Sequence, residues 1–316
     1  MSYLSSHFAT LGQEFWGLLV GGIANGFIYA MVAIGYTMVY GVLRLINFAH
    51  SEVFMCGAFA SFFLLKYLVG SSSPSAFESV VYLIAGVLMG GVVGALVALL
   101  LERVAYRPLR RRNAPKLAYL ISAIGASYFL FNFVGKEFGR INLSIDAPYT
   151  NNTVFTIFGA PVQTYYIVIF FVGVTMLVAL DRLVAKSKLG RGIRAVAQDA
   201  ETASLMGVNI DRTIALTFML GGFLGGVAGF LYSIPVGAVY TMGFTPALKA
   251  FSAAVLGGIG NLRGAVLGGL VLGVVESLSV AFVSGAYIDV VAFGVLVLVL
   301  LFRPTGILGE RLGRSA

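Results

Sequence analysis

Few side chains in this sequence could do covalent chemistry. There are two histidines, His7 and His50, and one cysteine, Cys56, set in an apolar stretch. They offer neither a metal cluster nor a Cys-His dyad, and no intrachain disulfide is possible. The richest glycine stretch, Gly257-Gly-Ile-Gly-Asn-Leu-Arg-Gly264, lacks the Lys-Ser/Thr pair of a phosphate-binding loop and lies at the edge of an apolar segment instead of after a strand. The chain is expected to be no enzyme, to bind no cofactor and to hydrolyse no ATP itself. What remains are polar groups placed where water is scarce. Glu276 is an acid deep inside an apolar run, and it reads either as a lining or gating group or as a hydrogen-bond partner between helices. Glu52, beside His50, and Lys249 stand at the ends of apolar runs, where interfacial placement or snorkelling accounts for them. With the asparagines of the interrupting turns, the candidate pathway residues are Asn47, His50, Glu52, Lys249, Asn261 and Glu276.

A second kind of chemistry is recognition. From Lys186 to Arg212 the sequence turns polar and basic between stretches that are otherwise apolar. Within it, Ala195 to Met206 holds good helix formers, with Asp199 and Glu201 early and Gly207 placed to close the helix. A helix this short is unstable alone and needs a groove in a partner to order it, unless it is an ordinary solvated loop helix.

The elements that must position these groups are membrane spans. Of 316 residues 59% are hydrophobic and only 11% charged, whereas a soluble domain has roughly 45–50% and 25%. Charge-free runs begin near Phe15, Val53, Val80, Leu117, Thr164, Thr213, Ala250, Gly264 and Val290. A crossing needs ~20 apolar residues, so the reading is an all-α polytopic membrane protein of about eight to ten transmembrane helices, nine as the central value, some short or broken. The breaks fall at Arg44–Glu52 and Pro246–Arg263, and interrupted segments point to a transport pathway. Met1 to Glu14 lacks a basic n-region and cleavage site, so the first apolar segment is expected to remain in the mature chain.

Alternation from an outer N-terminus places Arg44, Arg103–Lys116, Arg182–Arg212, Arg263, Arg303, Arg311 and Arg314 in the cytoplasm, together with the C-terminus. This asymmetry accounts for the net charge of +8 without nucleic acid. Residues 136–163 form the sizeable outer loop, whose Val-Phe-Thr-Ile-Phe run suggests a hairpin. Glycines four apart, at 86, 90 and 94, at 221, 225 and 229, at 264 and 268, and at 269 and 273, mark seams of close helix packing.

Taken together, Gly35-Tyr-Thr-Met-Val-Tyr-Gly41, Ile46-Asn-Phe-Ala-His-Ser-Glu52, Glu102-Arg-Val-Ala-Tyr-Arg-Pro108, Gly190-Arg-Gly-Ile-Arg-Ala-Val-Ala-Gln-Asp199, Met206-Gly-Val-Asn209, Lys249-Ala-Phe-Ser-Ala-Ala-Val-Leu-Gly-Gly-Ile-Gly260 and Arg303-Pro-Thr-Gly-Ile-Leu-Gly309 resemble the LivH-type permeases of branched-chain amino acid ABC importers. The resemblance runs from about Gly17 to Gly309. It implies one permease domain over residues 1–316 in a bacterial inner membrane. It also implies a LivM-like second permease, LivG- and LivF-like ATPases that use the ATP, and an extracytoplasmic binding protein that delivers substrate. Glu201-Thr-Ala-Ser-Leu-Met-Gly207 is similar to the Glu-Ala-Ala-x-x-x-Gly signature of ABC importer permeases, with Thr202 in place of the usual Ala. The resemblance therefore assigns ATPase coupling to region 186–210, through Arg191, Arg194, Asp199, Glu201, Ala203 and Gly207. A urea or short-amide permease is the alternative on substrate. A self-contained ion-coupled transporter or channel gated by Glu276 is the alternative on mechanism, and it leaves Gly190–Asn209 unexplained.

Overall fold

The computed structural model describes residues 2–69, 74–144, 147–149 and 151–309, with backbone alone for 2–13. The side chain of His7 and the terminal basic residues Arg311 and Arg314 lie outside the described residues. The chain folds as helices α1 (Ser2–Leu43), α2 (His50–Leu68), α3 (Ala76–Leu101), α4 (Arg107–Arg111), α5 (Lys116–Glu137), α6 (Thr164–Lys186), α7 (Lys188–Gln198), α8 (Ala200–Leu205), α9 (Ile210–Val236), α10 (Phe244–Gly257), α11 (Leu262–Ser279) and α12 (Ile288–Phe302). A π-helical turn, Glu102–Tyr106, joins α3 to α4, and strands β1 (Thr153–Ile157) and β2 (Ala160–Gln163) pair antiparallel. Among the described residues eight helical stretches are long and apolar enough to cross a bilayer. The protein is an all-α polytopic membrane protein.

The core gathers around α1 and α9, and small residues decide how close their neighbours come. On the α3–α9 seam, a methyl group on Gly226 would strike the carbonyl of Gly90, and one on Gly94 would strike the carbonyl of Gly222. Such backbone contact replaces the hydrophobic drive that lipid does not supply.

The interruptions are built as the sequence foretells, with one difference. The first is a turn between α1 and α2. The second begins earlier than Pro246: Pro235 removes a helix donor, Gly237 adopts φ +85°, and α9 stops at Val236. Ala238 then pairs with Leu143 in the connection between α5 and β1, and at Gly243 the chain comes against the backbone of Ser51. The two breaks thus meet inside the bundle. Helix α10 has 14 residues, too few to cross. The seventh apolar run is therefore half of a crossing whose other half, 237–243, is not helical.

The hairpin of 153–163 turns at Phe158 and Gly159, both at positive φ (47° and 89°) as a two-residue mirror-image turn requires, and Phe158 stacks on Trp16 at 4.6 Å.

Candidate functional site: a helical corner and buried polar groups

The sequence predicts one helix over Ala195–Met206; the chain folds it as two. Asp199 leaves the helical conformation (φ −152°) and caps α8, accepting from the backbone N–H groups of Glu201 and Thr202 (2.9 and 3.2 Å) and from the Thr202 hydroxyl (2.6 Å). These bonds favour the ionised carboxyl and hold it below its ordinary range. Gly207, at φ +85°, closes α8: its N–H donates to the carbonyl of Ser204, and Val208 N–H to that of Ala203. Ala203 is buried against the bundle.

Between these clamps Leu205 and Met206 are 83% and 81% exposed, with Arg191 and Glu201 also in solvent. Arg194 is exposed, and its guanidinium donates to the carbonyls of Val184 and Ala185 at the end of α6, bracing the corner.

Beside the corner lies an ion cluster that the sequence reading treated only as topology. Asp211 accepts from Arg107 (2.8 Å) and Arg110 (2.6 Å), and Arg110 also binds Glu102 (2.9 Å), which is 1% exposed on the π-helical turn. The cluster ties the α3–α4 junction to the start of α9. An open cleft of about 390 Å³ lies between them, lined by Arg110, Ser204, Val208, Asn209, Ile210 and Asp211. The eight-residue separation of Glu102 and Arg110, two turns on one face, was the available signal.

Inside the bundle the pathway candidates separate into groups. Glu52 is buried and accepts from Ser51 and Ser127 (3.0 Å each). His50 is buried edge-on to Tyr36, at 4.9 Å, and its Nε2 occupies the space a Cβ on Gly35 would need. Asn47 accepts from the Tyr106 hydroxyl at 2.8 Å. Their neighbourhood follows from the broken start of α2, which leaves His50 and Glu52 within the bundle.

Lys249 forms a second group. It is 7% exposed and donates to Glu276 (2.6 Å) and Asp289 (2.7 Å), joining α10 to α11 and to the start of α12. Neither snorkelling nor interfacial placement describes it. Glu276 has the helix-to-helix bond that was one of its two readings. Asn261 stands apart from both groups: it caps α11, accepting from Arg263 and Gly264 N–H (3.0 and 3.2 Å) and donating to the Leu308 carbonyl (2.9 Å).

A multi-pass bundle with a broken crossing and a protruding helical corner at one end defines a membrane permease. The chain belongs to the family described as the permease component of branched-chain amino acid transport systems, whose family model matches residues 18–300. It is 42% identical over 296 residues to the high-affinity branched-chain amino acid transport system permease protein LivH of Salmonella typhimurium, covering 92% of this chain and 94% of that one. It is 43% identical over 297 residues to the corresponding protein BraD of Pseudomonas aeruginosa, covering 92% and 95%. Among solved structures it matches PsaBC from Streptococcus pneumoniae in complex with Fab at a TM-score of 0.50 and 14% identity, over 96% of this chain and 97% of that one, a likeness of fold alone.

Proposed function

We propose that the chain is the permease subunit of an ATP-driven importer of branched-chain amino acids in a bacterial inner membrane. The observation that carries the mechanism is the α7–α8 corner. Asp199, Thr202 and Arg194 hold its shape, while an apolar tip, Leu205 and Met206, stays in solvent with Arg191 and Glu201 at the end where the basic residues gather. A rigid corner with a greasy tip suits a groove in an ATPase. The cytoplasm takes the basic end. Eight long helices and the composite crossing, an odd number in all, support an N-terminus outside and a C-terminus inside.

In this reading the chain is a single permease domain that holds no nucleotide of its own. Two ATPases close on binding ATP, each carrying a docked corner, and the bundle rocks between outward and inward openings while an extracytoplasmic binding protein delivers substrate. A second, LivM-like permease completes the membrane part. The aliphatic side chain of the substrate suits an apolar lining, and its charged ends suit the Asn47–His50–Glu52 group. The engagement of Glu276 by Lys249 supports this reading over proton coupling, because an acid held by a buried ammonium is poorly placed to cycle a proton.

The test is reconstitution with and without the ATPase subunits, with hydrolysis measured against leucine, isoleucine, valine, urea and short amides. Stimulation by the three amino acids is expected. Stimulation by urea alone would move the substrate class, and gradient-driven uptake by the isolated chain would overturn the importer.

A further inference from the structure

Helix α1 ends in an unusual way. Arg44, the first residue of the turn to α2, adopts φ +53°, a left-handed conformation that favours glycine and disfavours an arginine. Its side chain has a use that glycine could not supply. The guanidinium reaches 3.5 Å to the carbonyl of Ala197 in the last turn of α7, a helix with no basic residue in its own last turn. A cation there meets the free carbonyls and the negative end of the helix.

The far end of the same turn is anchored deeper. Asn47 accepts from Ala49 N–H (3.1 Å) and from the hydroxyl of Tyr106 on the π-helical turn (2.8 Å). Between these anchors Ile46 joins Tyr36 and Tyr40 of α1 and Phe251 and Ile259 of the α10 region around a cavity of only about 10 Å³. That is room for one water and far too little for an amino acid. This mostly apolar lining leaves no passage for a substrate here. It also leaves Thr37 Oγ1 and Asn47 Nδ2 buried without a hydrogen-bond partner, groups that an opened, hydrated passage would satisfy.

We propose that turn 44–49 is the link between the docked corner and an inner gate around Ile46 and Phe251, with Arg44 as the positioning residue. Movement of α7 shifts Arg44 through its hold on Ala197, the turn pivots on Asn47, and Ile46 leaves Phe251. The α10 side of the gate stays fixed, because Ile307 and Leu308 donate to the carbonyls of Leu256 and Gly257 (2.8 and 3.0 Å). The proposal rests on the importer reading above.

The experiment uses the whole importer in proteoliposomes, carrying Arg44→Gly or Arg44→Lys, with uptake and ATP hydrolysis measured together. Thiol labelling of Ile46→Cys in a Cys56→Ala background reports the gate. Glycine suits the backbone at position 44, so the fold is retained. The expected result for Arg44→Gly is retained ATPase subunits and hydrolysis within about twofold, with uptake per ATP reduced on the order of five- to tenfold. Labelling of Ile46→Cys should cease to respond to nucleotide, and Arg44→Lys should restore most of both. Unchanged uptake per ATP in Arg44→Gly, or labelling that still follows nucleotide, overturns the link. So does loss of the ATPase subunits in that variant, which would make Arg44 a docking residue. If the unaltered chain retains no ATPase, the importer reading itself falls and the link with it.

Discussion

At the scale of residues, the corner depends on two groups with different demands. Gly207 needs a positive φ, which proline cannot adopt and which costs alanine about 1–2 kcal/mol. Gly207→Pro is expected to leave insertion and expression intact while separating ATP hydrolysis from uptake, as measured in reconstituted importers; coupled transport at the normal ratio would count against the corner. Asp199 is held ionised below its ordinary value of 3.8 by the Thr202 hydroxyl and then by backbone N–H groups. A depressed carboxyl stabilises above its unfolded value and loses that contribution as pH falls through the folded one, so ATPase docking should be insensitive to Asp199 between about pH 5 and 8. An Asp199→Asn variant, which cannot titrate, should show the same flat profile. The buried ion group predicts an asymmetry. Lys249→Met leaves two acids without their cation, a change of about 3–5 kcal/mol for a broken buried pair, whereas Glu276→Gln leaves Lys249 on Asp289. Thermal unfolding in detergent should fall far more for the first. The second should keep substantial uptake after the proton gradient is collapsed, and uptake that vanishes with that gradient would revive the ion-coupled reading.

Among elements, the glycine rows separate those that bear packing from those that do not. Gly226→Ala pushes a methyl group into the backbone of α3, and overpacking of this kind costs about 1–3 kcal/mol. Gly125 has open space around it, so Gly125→Ala should stabilise α5 by up to about 1 kcal/mol through helix propensity. Detergent unfolding midpoints moving in opposite directions would confirm the seam, and equal midpoints would remove it. The four-residue spacing made the α3 side of the seam legible in the sequence, because small residues at that period share one face of a helix; on α9 the seam uses Gly222 and Gly226, whereas the row Gly221, Gly225 and Gly229 faces Gly35 of α1 and His50 and Phe54 of α2. It did not make legible that α10 is half a crossing. Thr213–Leu248 is one charge-free run in sequence, and only Pro235 with the conformation of Gly237 divides it.

For the whole molecule, sidedness is the outstanding test. The basic ends converge in space, with Arg44 at α7, Arg107 and Arg110 at Asp211, and Arg263 at Asp181 (3.5 Å), while Leu143 meets Ala238 at the opposite end. Cysteines at Asn113 and Ser187 should label from the cytoplasm alone, and one at Asn151 from outside alone. Labelling of Asn113 and Asn151 from one side would invert or break the topology.

Composition, charge asymmetry and ordered motifs were enough to read from the sequence a polytopic permease with a polar, basic passage at 186–210. Each of those is a local property, set by what a bilayer tolerates over roughly 20 residues and by which loops carry Lys and Arg. The placement of the polar groups was not local. Lys249 at a segment end reads as interfacial until residues 276 and 289 are brought beside it, and Asn261 reads as a pathway group until its oxygen is seen capping α11. The bond from Arg194 to the end of α6 was likewise not legible in the sequence. A buried charge declares its role through the partner that neutralises it, and partners 27 or 40 positions away are chosen by packing, which only the tertiary structure decides.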